Sequence, residues 1–252
     1  MNIHMNNNNL NNTSNSHATT IGMLSLGCAK NRVDAEMLMG TLKNAGYKLT
    51  SDLTRAEVVI VNTCGFIEDA KRESIEEILD LVKIKDTQAE NKQKKLKGII
   101  VTGCLAERYK NEVLDEIPEV DAVIGIGNNS DIVSVVEKVL EGEKVELFSS
   151  KENLSLNGER VQSTPSSYAY LKVADGCDNC CTYCAIPLIR GQFRSRKMED
   201  IVLEAKSLAE KGVRELLVIA QDTTRYGEDI YGQLKLPDLL RQLCEIESIE
   251  WI

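Results

Sequence analysis

Histidine is nearly absent from this sequence, and its absence excludes several kinds of chemistry. Only His4 and His17 occur in 252 residues, so the chain beyond residue 17 contains none. That part of the chain cannot form a Ser-His-Asp triad, use imidazole as an acid or base, or ligate a metal through histidine.

The sequence also lacks long apolar runs and an excess of positive charge. No apolar run approaches the ~18–20 residues that a membrane span requires, so we expect no membrane partner. Lys and Arg number 30 and Asp and Glu number 39, which gives a net charge of −9. Nucleic-acid binders typically carry a basic footprint, and we therefore expect no direct nucleic-acid binding.

The first 20 residues contain eight asparagines and few apolar side chains. They predict a disordered Asn-rich tail over residues 1–20, because so little apolar surface cannot offset the entropy lost on ordering. The segment lacks the basic and apolar regions of a secretory signal, which predicts a cytoplasmic location. In that reducing compartment, cysteines serve as metal ligands or catalytic groups more often than as disulfides.

Apolar segments alternate with amphipathic segments from residue 21 onward, which predicts an α/β fold with parallel strands covered by helices. In the first domain we predict core strands over residues 21–26, 58–62, 98–102 and 122–126. The pattern divides the chain into a domain over 21–148, a linker over 149–167 and a second domain over 168–252. We expect a hairpin-like turn near Asn157 and Gly158 and a third strand of the second domain opening at Ile249.

The strongest chemical signal is a cysteine-rich loop in the second domain. Cys177, Cys181 and Cys184 form a CxxxCxxC pattern, and three thiolates leave one iron of a 4Fe–4S cluster open for another ligand. The methionine end of S-adenosylmethionine fits that vacancy. An alternative adds Cys180 and closes a tetrahedral zinc site. Adjacent Cys180 and Cys181 disfavour zinc, because neighbouring side chains in an extended loop point apart, and Cys180 is then a bystander.

A second set of cysteines follows three predicted core strands. Cys28, Cys64 and Cys104 each come directly after a strand, and the carboxyl ends of parallel strands share one edge of the sheet. Taken singly, each could be a small buried apolar residue. Together, with Gly27 and Gly103 allowing close backbone approach, they predict a second three-thiolate cluster.

Cys244 differs from the other cysteines because it lies in a predicted helix. It follows four leucines at helical spacing: Leu236, Leu239, Leu240 and Leu243. We therefore expect Cys244 to pack in the core.

The order of these motifs resembles that of the methylthiotransferase family of radical S-adenosylmethionine enzymes. The resemblance covers residues 21–252 and rests on the segments SLGCAKNRVDAE, VVIVNTCGFI, VTGCLAERY, GCDNCCTYCAIPLIRGQFRSR and AKSLAEKGVRELLVIAQDTTRYGEDIYG. It implies a flavodoxin-like parallel-sheet domain followed by an incomplete radical-SAM (βα) barrel. Only two βα units and the start of a third strand follow the linker, so we expect a truncated piece of the enzyme that turns over poorly alone.

The resemblance assigns a role to each cysteine set. It implies that Cys177, Cys181 and Cys184 hold the catalytic, radical-generating 4Fe–4S cluster, which cleaves S-adenosylmethionine. It implies that Cys28, Cys64 and Cys104 hold an auxiliary 4Fe–4S cluster that carries the sulfur.

The resemblance also implies a substrate and partners. The stretches CAIPLIRGQFRSR and AQDTTRYG are similar to the branch that methylthiolates the β-carbon of an aspartate in small-subunit ribosomal protein S-twelve. The alternative branch modifies a tRNA adenosine, and the acidic net charge weakly disfavours it. Further alternatives are a zinc-bound non-catalytic module and an inactive fragment. A flavodoxin or ferredoxin is implied as electron donor.

Three more residues are candidate contacts for S-adenosylmethionine. Tyr183 lies between two cluster cysteines and either packs against the adenine or shields the cluster. Gln221 and Asp222 follow a predicted strand, where α/β barrels carry their sites, although turn formation explains them equally well.

A run of four positive charges lies between the cysteine-rich loop and the next helix: Arg190, Arg194, Arg196 and Lys197. These side chains contact either the cofactor carboxylate or an acidic protein substrate. The alternative is a solvated surface, which is the usual fate of such a run.

Overall fold

The computed structural model describes residues 19–90 and 96–252, so the predicted tail lies outside the described residues up to residue 18. The strands are β1 (Thr20–Ser25), β2 (Lys48–Thr50), β3 (Val58–Thr63), β4 (Gly98–Gly103), β5 (Ala122–Ile124), β6 (Val145–Leu147), β7 (Tyr168–Lys172), β8 (Ala174–Asp175), β9 (Arg194–Ser195) and β10 (Glu215–Ile219). The α-helices are α1 (Ala29–Asn44), α2 (Glu68–Glu90), α3 (Cys104–Glu116), α4 (Ile132–Leu140), α5 (Ile186–Arg190), α6 (Met198–Glu210), α7 (Glu228–Tyr231) and α8 (Leu236–Cys244).

Strands β1 to β6 form one parallel sheet in the order β2-β1-β3-β4-β5-β6. This is the predicted flavodoxin-like order, with β6 added beyond β5. The central strands β3 and β4 are buried at every position, as expected for parallel strands covered on both faces. The apolar pattern predicts neither β2 nor β6, because each has three residues and lies at an edge of the sheet.

Helices cover both faces of this sheet and create two apolar cores. On one face Val59 and Val61 of β3 lie in a core with Ile78 of α2 and Leu105 of α3. On the other face Ile60 lies in a core that includes the following residues of α1 and α4: Leu38, Leu42, Val135, Val136 and Val139. Alternation along β3 therefore sends successive side chains to opposite cores. We call this sheet and its helices the N-terminal unit.

The C-terminal unit is built on β7 and β10, which pair in parallel. Leu171 of β7, Leu216 of β10, Ile201 of α6 and Leu239 of α8 are buried in its core. The predicted third strand at Ile249 is reduced to one parallel bridge, in which the Leu216 N–H donates to the Trp251 carbonyl at 2.9 Å. The predicted α/β class and the incomplete (βα) barrel are confirmed.

The segment between the two units packs along helix α1. The Val161 N–H donates to the Glu36 carbonyl at 3.0 Å, and the Ser163 N–H donates to Glu36 Oε1 at 2.7 Å. Gly40 permits this approach, because a Cβ at that position would lie 2.2 Å from the Glu159 carbonyl oxygen. The predicted hairpin-like turn at residues 157 and 158 is wrong, since no strands flank it.

The predicted core position of Cys244 is also wrong. Leu239 and Leu243 of α8 are fully buried, whereas Cys244 is exposed. Cys244 is the last residue of α8 and lies beyond the leucine stripe that faces the core. The leucine spacing correctly marks the buried face of α8, and Cys244 lies next to that face, on the exposed side of the helix.

No helix in residues 19–90 and 96–252 combines the length and the hydrophobicity needed to cross a membrane.

Gly103 is predicted to be essential for the turn from β4 into α3. It has φ 93°, and a Cβ there would lie 2.5 Å from the Thr63 carbonyl oxygen. We expect Gly103→Ala to lower the free energy of unfolding by more than about 3 kcal/mol, because left-handed strain and a backbone collision add. Gly142→Ala is the matched control, since Gly142 has φ 86° and open space around it. Urea unfolding measures the free energy of unfolding of both variants. An equal loss in Gly103→Ala and Gly142→Ala would contradict a collision between the added Cβ and the Thr63 carbonyl.

Candidate functional site

The sheet brings Cys28, Cys64 and Cys104 to one edge. They follow β1, β3 and β4, which are adjacent strands of a parallel sheet. Cys28 immediately precedes α1, and Cys104 is the first residue of α3. The predicted common position at the carboxyl ends of the strands is present, and we call these residues the sheet-edge set.

Glycine and asparagine hold the loops of the sheet-edge set together. Gly27 packs directly on Cys64, because a Cβ at Gly27 would lie 2.7 Å from the Cys64 sulfur. Asn31 Nδ2 donates to the Leu26 carbonyl at 3.1 Å and to the Thr63 carbonyl at 2.7 Å. Asn62 Nδ2 donates back to the Asn31 carbonyl at 2.7 Å. These contacts join the loops after β1 and β3 into one rigid body.

The thiols of the sheet-edge set differ in exposure and interact electrostatically. Cys28 is exposed, whereas Cys64 and Cys104 are buried. Burial raises the pKa of the Cys104 thiol, and the Arg190 guanidinium opposes that rise. Negative charge on Cys28 or Cys64 raises the Cys104 pKa further. A cation or a metal cluster at this edge would therefore stabilise the thiolate form.

Cys177, Cys181 and Cys184 lie in the loop between β8 and α5, and we call them the loop set. Cys177 and Cys184 are half-buried and Cys181 is exposed. The Cys184 N–H donates to the Cys181 carbonyl at 2.9 Å, and the Cys177 N–H donates to the Gly191 carbonyl at 3.1 Å. Cys180 is exposed and has φ 50°, a left-handed backbone that non-glycine residues seldom adopt. The loop is thus a tight turn closed onto the end of α5.

In the described parts of the chain, no three His, Cys, Asp or Glu side chains converge as the ligands of one metal ion do. A zinc ion needs its ligands around a single point. A four-iron cluster spreads its thiolates over a larger body.

The predicted cofactor contacts lie at the carboxyl end of β10 and beside the loop set. Gln221 Nε2 donates to Asp175 at 2.9 Å, while its buried Oε1 accepts no hydrogen bond from the residues that the structure describes. Asp222 Oδ2 accepts from Asn179 of the cysteine-rich loop at 3.1 Å. Tyr183 is almost fully solvent-exposed. Gln221 therefore offers a free acceptor, and Asp222 helps to hold the loop.

Asp222 also stabilises a turn, which was the alternative to a cofactor contact in the sequence analysis. Its Oδ1 accepts from the Thr224 N–H at 3.0 Å and from the Thr224 hydroxyl at 2.6 Å. Hydrogen bonds from Thr224 and Asn179 hold the pKa of Asp222 below its ordinary value.

Four charged residues form a buried network between the two units, which we call the charge network: Asp34, Lys172, Asp175 and Arg190. Arg190 Nη1 donates to Asp34 at 2.5 Å and to Asp175 at 3.0 Å. Lys172 Nζ donates to Asp175 at 2.9 Å and also to Asp34. Burial opposes the charge on Asp175, yet Lys172 and Arg190 outweigh it and hold the pKa of this carboxyl far below its ordinary value.

The charge network contacts the sheet-edge set and the backbone next to the loop set. Arg190 Nη2 lies 3.5 Å from the Cys104 sulfur in the N-terminal unit. Asp175 Oδ1 accepts from the Gly176 N–H at 2.8 Å, directly before Cys177. The network therefore fixes the sheet-edge set relative to the loop set.

The expectations for the run of positive charges are wrong for Arg190 and Arg196, and the half-buried Arg194 also contacts other parts of the chain. Arg190 and Arg196 are almost fully buried, and Lys197 alone is exposed. Arg194 donates to backbone carbonyls of residues 151, 152 and 154. Arg196 pairs with Glu204 at 2.6 Å and donates to the Lys172 carbonyl at 2.7 Å. The carboxylates and carbonyls that accept from these arginines belong to other elements of the fold. The spacing of charges in the sequence therefore cannot predict these partners.

The sequence analysis identifies no role for Asn31, Asp34, Lys172 or Asp175. One signal was available, because Lys172 interrupts the apolar strand YAYLKVA and would be costly to bury unpaired. Asn31 and Asp34 lie three residues apart, on one side of a helix that faces the core. Polar residues at such positions indicate a buried polar contact.

Asp34 is predicted to be required for the stability of the contact between the units. We expect Asp34→Asn to lower the free energy of unfolding by about 3–5 kcal/mol, because it leaves two buried cations facing one carboxylate. Asp238→Asn is the control, since the partly exposed Asp238 pairs with Lys235 and Arg241 at the protein surface and its loss should change the free energy of unfolding little. Urea denaturation compares the two, and a neutral Asp34→Asn would contradict a charged network.

Two family models match the chain in succession. A model described as uncharacterized protein family UPF0004 matches residues 20–125, and the radical SAM superfamily model matches residues 171–251. The first range contains the sheet-edge set and the second contains the loop set.

Curated relatives match across both ranges. The chain is 52% identical over 240 residues to a protein named ribosomal protein uS12 methylthiotransferase RimO from Acetivibrio thermocellus, covering 92% of this chain and 51% of the relative. It is 49% identical to the protein of that name from Thermoanaerobacter sp. and 52% identical to that from Lachnoclostridium phytofermentans, covering 92% of this chain and 52% of each relative. The chain thus spans about half the length of these relatives.

Solved structures share the fold at low sequence identity. Two structures of the radical S-adenosylmethionine methyltransferase TsrM from Kitasatospora setae align with TM-scores of 0.54 and 0.57. Sequence identities are 13% and 12%, and the alignments cover 90% and 89% of this chain and 51% and 50% of the respective TsrM chains. On the sequence identity to its curated relatives and the two family models in succession, the chain belongs to the radical S-adenosylmethionine methylthiotransferase family, in its RimO-like branch.

Proposed function

We propose that this chain carries the two cluster-binding units of a methylthiotransferase. Its target is the β-carbon of an aspartate in small-subunit ribosomal protein S-twelve. The observation that carries the proposal is the pairing of two three-cysteine sets, one at the sheet edge and one in the loop, linked by Arg190 and Asp175. The names of the similar curated proteins support the same substrate.

The proposal divides the chain as the sequence predicts. Residues 21–148 form the domain that binds the auxiliary cluster, and residues 149–167 form the linker. Residues 168–252 form a partial radical-SAM barrel. The proposed 4Fe–4S ligands are the sheet-edge set in the first domain and the loop set in the second. Thiolate ligands without histidine suit iron–sulfur clusters.

The chain's own residues fit these cofactors. Gly27 lets its backbone pack directly against Cys64, and Gly103 lets β4 turn into α3 against Thr63, so both glycines hold the loops that carry the sheet-edge thiols. Within residues 19–90 and 96–252 the buried Gln221 Oε1 has no donor, and a hydroxyl or amino group of S-adenosylmethionine would supply one. Asp222 holds the cysteine-rich loop through Asn179, and Tyr183 is free to cover the adenine.

The proposed chemistry is consistent with the absence of histidine beyond residue 17. When bound, the two clusters and S-adenosylmethionine supply a carbon-centred radical, the sulfur and the methyl group. Hydrogen-atom abstraction by such a radical needs no side chain of tuned basicity, so the protein positions the groups and excludes water. The charge network supplies the positioning, because it joins the two units through buried, charge-assisted hydrogen bonds. A flavodoxin or ferredoxin remains the proposed electron donor.

Iron binding is predicted to divide between the two cysteine sets. After anaerobic reconstitution with iron and sulfide, we expect about eight irons per chain. Replacing the loop set or the sheet-edge set with alanine should leave about four in each case, because the sets lie on separate loops. Cys180→Ala and Cys244→Ala are matched controls on exposed cysteines outside both sets. About one zinc and no iron, or loss of all iron from either triple variant, would overturn two separate clusters.

The substrate is predicted to be a protein. Deleting the gene that encodes this chain in its host should remove the methylthio-aspartate of ribosomal protein S-twelve and leave the methylthio-adenosine of tRNA intact. Mass spectrometry of both molecules from one culture makes the comparison. Intact methylthio-aspartate with missing methylthio-adenosine would favour the tRNA branch. Re-expression of the gene is the control that restores the lost modification.

A further inference from the structure

Arg190 lies close to the loop set in the sequence, and its side chain contacts the sheet-edge set. It ends α5, the helix that begins two residues after Cys184. The carbonyl of the next residue, Gly191, accepts from the Cys177 N–H at 3.1 Å. Its own Nη2 lies 3.5 Å from the Cys104 sulfur. The Arg190 side chain therefore contacts one cysteine set, and the backbone of the residue that follows it contacts the other.

The orientation of the Arg190 guanidinium is held by contacts on both of its terminal nitrogens. Nη1 donates to Asp34 at 2.5 Å and to Asp175 at 3.0 Å, and Nη2 also donates to Asn31 Oδ1. The side chain is 2% exposed, so water does not compete for these donors. A planar fork held on both sides cannot turn away from the sulfur.

The charges around Arg190 leave it available to a third negative group. Asp34 and Asp175 balance Lys172 and Arg190, so a thiolate at Cys104 adds negative charge to a neutral set. Among the four residues of the charge network, Arg190 is the one with a hydrogen bond to that sulfur. A buried N–H donor at a ligand sulfur stabilises added negative charge on the metal group, and reduction adds such a charge.

We propose that Arg190 is a positioning residue for the sheet-edge cluster: it holds the Cys104 sulfur through Nη2 and raises the reduction potential of that cluster. This inference rests on the proposed function, because it requires a cluster at Cys28, Cys64 and Cys104. It extends that function by assigning redox control of the sulfur-carrying site to a residue of the opposite unit.

Lys172 separates the sulfur contact from the general stability of the charge network. Lys172 is as deeply buried as Arg190 and contacts the same two carboxylates, Asp34 and Asp175. It has no contact with a cysteine sulfur among its hydrogen bonds within the described residues. Arg190→Met and Lys172→Met each remove one cation from the same network, and only the first removes a donor to sulfur.

The experiment uses the full chain in the Cys177→Ala, Cys181→Ala, Cys184→Ala background, so that one cluster remains. After reconstitution, the midpoint potential is measured by titration with dithionite, followed by electron paramagnetic resonance. We expect Arg190→Met to shift the potential in the negative direction and Lys172→Met to leave it near that of the parent. Arg190→Lys should fall between, because it keeps the charge and loses the fork. If Arg190→Met does not fold, Arg190→Lys provides the test, and we still expect a negative shift of its midpoint potential relative to the parent.

The outcomes distinguish the inference from the function on which it rests. An unshifted potential in Arg190→Met, or equal shifts in Arg190→Met and Lys172→Met, would overturn the role of Arg190 and leave the cluster assignment standing. A parent that binds no iron would overturn the sheet-edge cluster and this inference with it. A negative shift confined to the Arg190 variants supports the proposal.

Discussion

The structure depends on one buried set of charges between its two units. Asp34 comes from α1 of the N-terminal unit, whereas Lys172, Asp175 and Arg190 come from the C-terminal unit. Each charge alone would be costly to remove from water, and together they satisfy one another. This mutual requirement specifies how the units meet, because a displaced interface would leave at least one ion buried without a partner.

The same contact explains how two distant cysteine sets become one site. The sheet-edge set is positioned by parallel strands and by glycines that admit close approach, and the loop set by a tight turn onto α5. Neither arrangement alone determines the separation of the two sets. Asp175 hydrogen-bonds the backbone just before Cys177, and Arg190 contacts the sulfur of Cys104, so that separation is determined at the interface.

Arginine placement shows why local charge patterns mislead in this chain. Three arginines within seven residues suggest a surface that meets solvent or a ligand. In the fold Arg190 contacts two carboxylates, Arg194 donates to the carbonyls of residues 151, 152 and 154, and Arg196 pairs with Glu204. Their partners lie in other elements, and the run therefore serves to join the two units and the segment between them.

The amino-acid pattern predicted the α/β class, four core strands of the first domain and the common position of Cys28, Cys64 and Cys104, because these follow from local periodicity and from the direction of parallel strands. The flavodoxin-like architecture was implied by the family resemblance. It did not predict the short edge strands β2 and β6, the exposure of Cys244 or the charge network. The position of Lys172 within an apolar strand indicated that the residue has a buried polar partner, but it did not identify that partner. The pairing of Asp34 with Lys172 and Arg190 became visible in the folded structure alone, because it depends on where elements far apart in sequence come together.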